Sequence, residues 1–221
     1  MTAPSGSARC SAAYDPDCTR CPRLARYLEA TRAGHPEYWA RPVPSFGAAR
    51  PKLLIVGLAP GMHGANRTGR PFTGDFAGIL LYRTLYELGL ASAPESAAAD
   101  DALRLIGARI ANAVKCVPPG NKPLPEEIGR CNSFLKEELA ALTTVRVYLA
   151  LGRIAHDAVL LARDLKRSHY AFGHGREHAL SEAHWLIDSY HCSRYNTQTR
   201  RLTAPMFREV VARACSRAGL R

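Results

Sequence analysis

Four short apolar runs, each closing on a glycine or a polar loop, constrain this chain more than any other feature. They are residues 53–58 (LLIVGL), 109–116 (RIANAVKC), 146–151 (RVYLAL) and 185–190 (WLIDSY). Runs of this length and apolarity read as strands buried on both faces, the habit of parallel sheets. Helical patterns at about 77–90, 125–141 and 154–163 fall between them. The alternation predicts an α/β fold: a three-layer α/β/α sandwich around a central, mainly parallel four-stranded sheet. Ligands of such sheets bind at the carboxyl ends of the strands. That rule singles out the loops after Leu58, Cys116 and Tyr190. There is no internal repeat, and the Ala-rich stretch 91–102 reads as a surface connection.

At 221 residues the chain suits one domain. We expect a flexible segment over 1–17 and a single domain over 18–221. No apolar run approaches the roughly 20 residues of a spanning helix, and MTAPSGSAR carries no leader-like apolar block. A cytoplasmic protein without membrane contact is the expectation. The formal charge of +11 attracts polyanions. Its position is informative: residues 190–221 hold seven Arg and one Glu. A basic C-terminal segment fits a phosphate-contacting surface, although Arg-favouring codons or a solvated helix face would also produce it.

Seven cysteines are many for a reducing compartment, and an odd number disfavours a full disulfide framework. Cys18 and Cys21 form a CxxC pair, whereas Cys116 and Cys131 have 14 residues between them, too open for a second zinc knuckle. Two ligands from an N-terminal segment and two from mid-chain suit an all-Cys iron–sulfur cluster. Four unrelated buried thiols are the plainer alternative, and Cys10 is a rival ligand.

The loop from Gly57 to Asp75 packs five glycines and two prolines into 19 residues. Such a loop exposes backbone amides and lets a ligand approach closely. It is neither a Walker A loop nor GxGxxG, so triphosphate and dinucleotide chemistry lose support. Phe72 offers an aromatic plate, Asp75 a carboxylate, and Arg67 and Arg70 two cations; equally, Phe72 could be core and Asp75 a helix N-cap. Asn121 and His191 open the other two loops, where an amide can pair with a base edge and an imidazole can polarise a carbonyl. Asn112, inside the second strand, is a weaker candidate of the same type. His174 and His178 share i,i+4 spacing, but the glycines around them make a zinc-binding helix doubtful.

GLAPGMHGANRTGRPFTGD, the four cysteines, KCVPPGNKP and YHCSRYNTQTRRLT, in this order, resemble the type 5 uracil-DNA glycosylases, iron–sulfur members of the uracil-DNA glycosylase superfamily. The likeness runs from about Cys18 to Phe207. It implies a DNA repair enzyme that flips a deaminated base (uracil, and also hypoxanthine, xanthine or ethenocytosine) out of double- or single-stranded DNA and hydrolyses its glycosidic bond. The competing reading is a non-enzymatic, metal-clipped nucleic-acid-binding module, and a monomer is expected because nothing in the sequence demands a dimer. The likeness further implies a 4Fe–4S cluster on Cys18, Cys21, Cys116 and Cys131, and catalytic roles for Asp75, Asn121 and His191. Substrate contacts fall to Gly57, Leu58, Ala59, Pro60, Gly61, His63, Phe72, Asn112, Ser193 and Asn196. Arg67, Arg70, Arg194, Arg200 and Arg201 are expected on DNA. Leu58-Ala59-Pro60 lacks the acid or Asn of related families, an absence typical of type 5 that leaves Asp75 as the nearest carboxylate. The sequence departs from the family at Cys192, where a reactive thiol near the pocket is expected, and at Tyr195 and Arg200.

Overall fold

Successive residues of a strand point to opposite faces, so a continuously apolar strand needs a helical layer on each side. The computed structural model, which describes residues 14–220, supplies both. Strands β2 (Leu53–Gly57), β3 (Ala108–Asn112), β4 (Val147–Leu151) and β6 (Trp185–Ser189) lie parallel in the order β3-β2-β4-β6. Leu53, Ile55, Ile110, Leu149 and Ile187 face one core with Tyr82, Leu85, Phe207 and Val210 from α3 (Phe76–Glu87) and α7 (Ala204–Arg217). Leu54, Val56, Tyr148 and Leu186 face the other, with Leu135, Leu139 and Val159 from α4 (Pro125–Ala141) and α5 (Arg153–Ala162).

The expected sandwich is present, with a sheet of six strands instead of four. Two edge strands, β1 (Phe46–Gly47) on β3 and β5 (Glu177–Ala179) on β6, pair antiparallel. They are two and three residues long and carry no apolar run, so backbone pairing alone defines them. The sequence pattern shows no sign of α1 (Pro22–Gly34), of the one-turn α2 (Ala65–Thr68) or of α7. β3 ends at Asn112, four residues short of the expected Cys116. Beyond it the amides of Ala113 and Val114 donate to the carbonyls of Gly57 and Leu58, so the exit of β3 is bound to the loop leaving β2.

Of the segment expected to be free, residues 1–13, with Cys10, lie outside the described residues. Tyr14 is already part of the body, its hydroxyl donating to the Pro42 carbonyl at 2.8 Å. Among the described residues no helix is long and apolar enough to cross a membrane.

Candidate active site

Gly57, at the end of β2, decides what can gather there. A Cβ at this position would sit 2.5 Å from Asn112 Oδ1 and 2.7 Å from the Phe72 ring. Without it, the Asn112 amide and the Phe72 ring share one slot. Phe72 takes a left-handed backbone (φ 56°), which a bulky residue adopts only where its surroundings impose it. The preceding carbonyl, of Pro71, accepts from the buried Tyr82 hydroxyl at 2.7 Å. The side chain of Asn112 is buried, and its Oδ1 has no hydrogen-bond partner. An unpaired buried acceptor costs about 1–3 kcal/mol unless a ligand completes it.

Asp75 is both things the sequence allowed. Its Oδ1 accepts from the Gly78 amide at 2.8 Å and caps α3, and its side chain also lines the cleft. A Cβ on Gly64 would meet Asp75 Cβ at 2.5 Å, so that glycine lets the first loop close over the carboxylate. Burial raises the Asp75 pKa above the ordinary carboxylate value, partly offset by the Gly78 and Ala77 amides. His191 follows β6, its ring 5.8 Å from that of Phe72 and 27° from parallel. Burial pushes the His191 pKa down to about 4, so the imidazole is neutral at physiological pH. Leu58, Ala59, Gly61, Asn121, Ser193 and Arg194 complete a cleft of about 430 Å³, within the range of small-ligand sites. Asn121 stands exposed on the rim at φ 57°.

Several expected site residues lie elsewhere. Arg70 is buried, ion-paired to Asp101 at 2.5 Å, bonded to Ser96 and the Ala99 carbonyl, and laid over Phe46. It therefore fastens segment 92–103 to the first loop and is no DNA contact; that segment is a strap and not merely a surface connection. His63 points outward to the Tyr38 hydroxyl at 2.9 Å. Pro60 is buried and does not line the cleft. Asn196 acts on the protein itself, donating from Nδ2 to the His191 carbonyl at 2.8 Å. Cys192 is fully buried in the α3–α7 core, where burial raises its pKa, so the expected reactive thiol is an inert core residue. Arg67, Arg194, Arg200, Arg201 and Tyr195 are exposed, as DNA contacts must be.

Cys18, Cys21, Cys116 and Cys131 converge on a single cavity between α1, the exit of β3 and α4. Burial raises the Cys116 pKa, and the other three sulfurs lie close enough to raise it further. Lys115 N–H donates to Cys131 Sγ at 3.3 Å. Among the described residues, the one His/Cys/Asp/Glu trio with ligand atoms all within 4.8 Å is His156, His178 and Asp188. Cys18, Cys21, Cys116 and Cys131 offer four thiol donors to one cavity, a donor set that an iron–sulfur cluster takes.

The trio itself was not legible beforehand. His178 lies on β5 and not on a helix, so its i,i+4 relation to His174 has no meaning. Its Nε2 pairs with Asp188 Oδ2 at 3.1 Å, and His156 Nδ1 pairs with Oδ1 at 2.7 Å. His174 instead accepts the Tyr190 amide hydrogen at Nδ1, 3.1 Å away.

Fold and cleft together define a class: an α/β protein with a nucleotide-sized slot at the carboxyl edge of a parallel sheet. A sequence model of the uracil DNA glycosylase superfamily matches residues 44–215. A type-5 uracil-DNA glycosylase of Thermus thermophilus is 52% identical over 92% of this chain and 94% of its own. One from Pyrobaculum aerophilum is 42% identical over 92% and 90%. A type-4 uracil-DNA glycosylase of Archaeoglobus fulgidus is 34% identical over 56% of this chain and 55% of its own. The chain belongs to the uracil-DNA glycosylase superfamily, within it to type 5, and it is a glycosylase.

Proposed function

We propose that this glycosylase removes uracil from DNA by taking the extruded nucleotide into the cleft between Phe72, Asn112 and His191. The observation that carries the reading is the unpaired, buried Asn112 Oδ1 beside the Phe72 ring. An amide can match the acceptor–donor edge of uracil, and a ring can stack on its face. A base inside a duplex cannot reach such a slot, so it is flipped at a cost of a few kcal/mol. Bond cleavage puts negative charge on the leaving base and cationic character on the sugar. Neutral His191 donates a hydrogen bond to the former, while ionised Asp75 stabilises the latter or orients water, with Asn121 supporting from the rim. Leu58-Ala59-Pro60 brings no polar side chain to the base, which supports tolerance of hypoxanthine, xanthine and ethenocytosine as well. Tyr195 acts as the wedge that fills the vacated stack, a role that its 70% exposure on α6 (Arg194–Gln198) supports. The enzyme acts as a monomer in the cytoplasm.

The defining experiment incubates the protein with uracil-containing duplex and with free deoxyuridine, then cleaves abasic sites with alkali. Strand scission without nucleoside hydrolysis is expected; nucleoside hydrolysis alone, or binding without scission, overturns the reading. Asn112→Ala is expected to lower kcat/KM on uracil by about 10²-fold, with affinity for undamaged duplex unchanged. Equal loss of both would make Asn112 merely structural.

Cys18, Cys21, Cys116 and Cys131 hold a 4Fe–4S cluster in this reading. When bound it supplies a cross-link between the segment before α1, the exit of β3 and α4, outside the cleft. Purified protein is expected to be brown, absorbing near about 400 nm, and Cys116→Ser to lose both iron and absorbance. A colourless, zinc-loaded protein would count against the assignment.

A further inference from the structure

The arginines of this chain that lie over aromatic rings divide by position. Arg70 over Phe46 and Arg217 over Trp185 are each also ion-paired, to Asp101 and Glu177. Arg20, over Phe134 beside the cysteine cavity, bonds Ser133. Arg153, Arg194 and Arg201 follow the carboxyl ends of β4 and β6. They lie over Phe172, Phe76 and Tyr190 at 5.3, 5.5 and 4.5 Å. Among the described residues, none of these three guanidinium groups has a carboxylate or hydrogen-bond partner. Stacking fixes the plane of a guanidinium while leaving its five N–H donors free, which is the arrangement that receives a phosphate oxygen pair.

Two of the three arginines are joined. Phe172 lies 6.3 Å from Tyr190, so Arg153, Phe172, Tyr190 and Arg201 form one continuous row, with His174 stacked on Tyr190 at 4.9 Å. Tyr190, inside the row, directly precedes His191, so the row is carried by the same strand exit as the cleft histidine. The loop carrying Phe172 is itself held on β6, because the Gly173 amide donates to Asp188 Oδ2 at 3.3 Å and His174 takes the Tyr190 amide hydrogen. Both aromatic platforms thus move with the strand that positions His191.

We propose that Arg153 and Arg201, oriented by Phe172 and Tyr190, grip two phosphates of the damaged DNA strand beside the extruded nucleotide, making Arg153 and the 172–174 loop part of the DNA interface. This rests on the glycosylase reading above and adds residues that neither the sequence motifs nor the first loop identified. Holding the backbone on the same rigid unit as His191 fixes the sugar relative to the departing base.

The test measures binding to uracil-containing duplex against salt in an Asp75→Asn background, in which the ligand is consumed slowly, within the time of the binding measurement. Arg153→Ala is expected to reduce the slope of log K against log salt by about 1 and to weaken binding by up to about tenfold at 0.1 M salt. Arg153→Ala with Arg201→Ala should reduce the slope by about 2. Phe172→Leu, which keeps the bulk but removes the ring face, should reproduce part of the Arg153 loss. Arg217→Ala, a stacked arginine with a carboxylate partner at the far end of β6, should change neither quantity. Each variant is checked by thermal melt, and Arg153 is exposed, so folding should persist. An unchanged slope in Arg153→Ala, or an equal loss in Arg217→Ala, overturns the proposal. If wild-type protein cleaves uracil-DNA under those outcomes, the glycosylase reading survives. If wild-type protein fails to cleave, that reading fails by itself, whatever the slopes show.

Discussion

Replacing Asp75 by Asn lowers single-turnover release of uracil by about 10²- to 10⁴-fold, the span that a lost acid–base or charge-stabilising group produces. The choice of Asn separates two roles that one side chain fills. Asp75 caps α3 through Oδ1, and Asn is an equally good N-cap, so the helix and the loop above it stay in place. What disappears is the negative charge facing the sugar. Asp75→Ala would remove cap and charge together and add about 1 kcal/mol of instability, which is why it is the poorer test. The pH profile gives an independent reading. Burial raises the Asp75 pKa and the proposed function makes the ionised form the active one, so the rate should fall as pH drops through a value above the ordinary carboxylate range. His191 stays neutral down to about 4 and should leave no inflection near the ordinary imidazole value. A flat profile through the acid range, or near-wild-type turnover in Asp75→Asn, would remove Asp75 from the chemistry.

What could be seen in the sequence followed from how locally each feature is encoded. The four central strands were visible because burial on both faces requires apolar runs, and β2 and β4 are buried at every position. The edge strands β1 and β5 face solvent on one side and leave no such pattern. The glycine-rich loop announced close packing, and Asp75, Phe72 and His191 do meet there. Arg70 was misread because its partner Asp101 lies 31 residues away, so a cation in a ligand-binding loop looked free when it is neutralised from a strap. Asn112 was underrated for the opposite reason. An Asn in a buried strand is usually satisfied, and it is the fold, setting Gly57 and the Phe72 ring beside it, that leaves Oδ1 unpaired. Cys192 looked reactive because it follows the motif histidine, yet the chain turns it into the core. The Asp188 network joins residues 32 and 10 apart in sequence, on α5 and β5, which no local pattern connects.

That network carries the largest stability effect expected of a single substitution. Both ring nitrogens of His156 face acceptors: Nδ1 lies 2.7 Å from Asp188 Oδ1 and Nε2 lies 2.9 Å from the Tyr170 carbonyl. Two acceptors call for two protons, so the geometry favours an imidazolium paired with the fully buried Asp188. Burial alone lowers the His156 pKa, but the Asp188 hydrogen bond and charge outweigh it and hold the value above the ordinary 6.5. Asp188→Asn leaves a ring that must either stay charged without a counter-ion or give up one bond. The expected loss is about 3–5 kcal/mol, the usual result of removing one partner from a buried pair. In a chain of this size that corresponds to a melting temperature lower by roughly 10 °C. The pH dependence has a definite sign. A raised histidine pKa contributes stability that is fully present below the unfolded value of about 6.5 and is lost as pH rises through the folded value. Wild-type melting temperature should therefore decline above neutrality by more than that of Asp188→Asn, which has no such pair to lose. Because Asp188 also binds Gly173 N–H and stands three residues before His191, the variant should additionally weaken DNA binding through the displaced 172–174 loop. Equal melting temperatures for the two proteins across pH 6 to 9 would mean that His156 is neutral and the pair is an ordinary hydrogen bond.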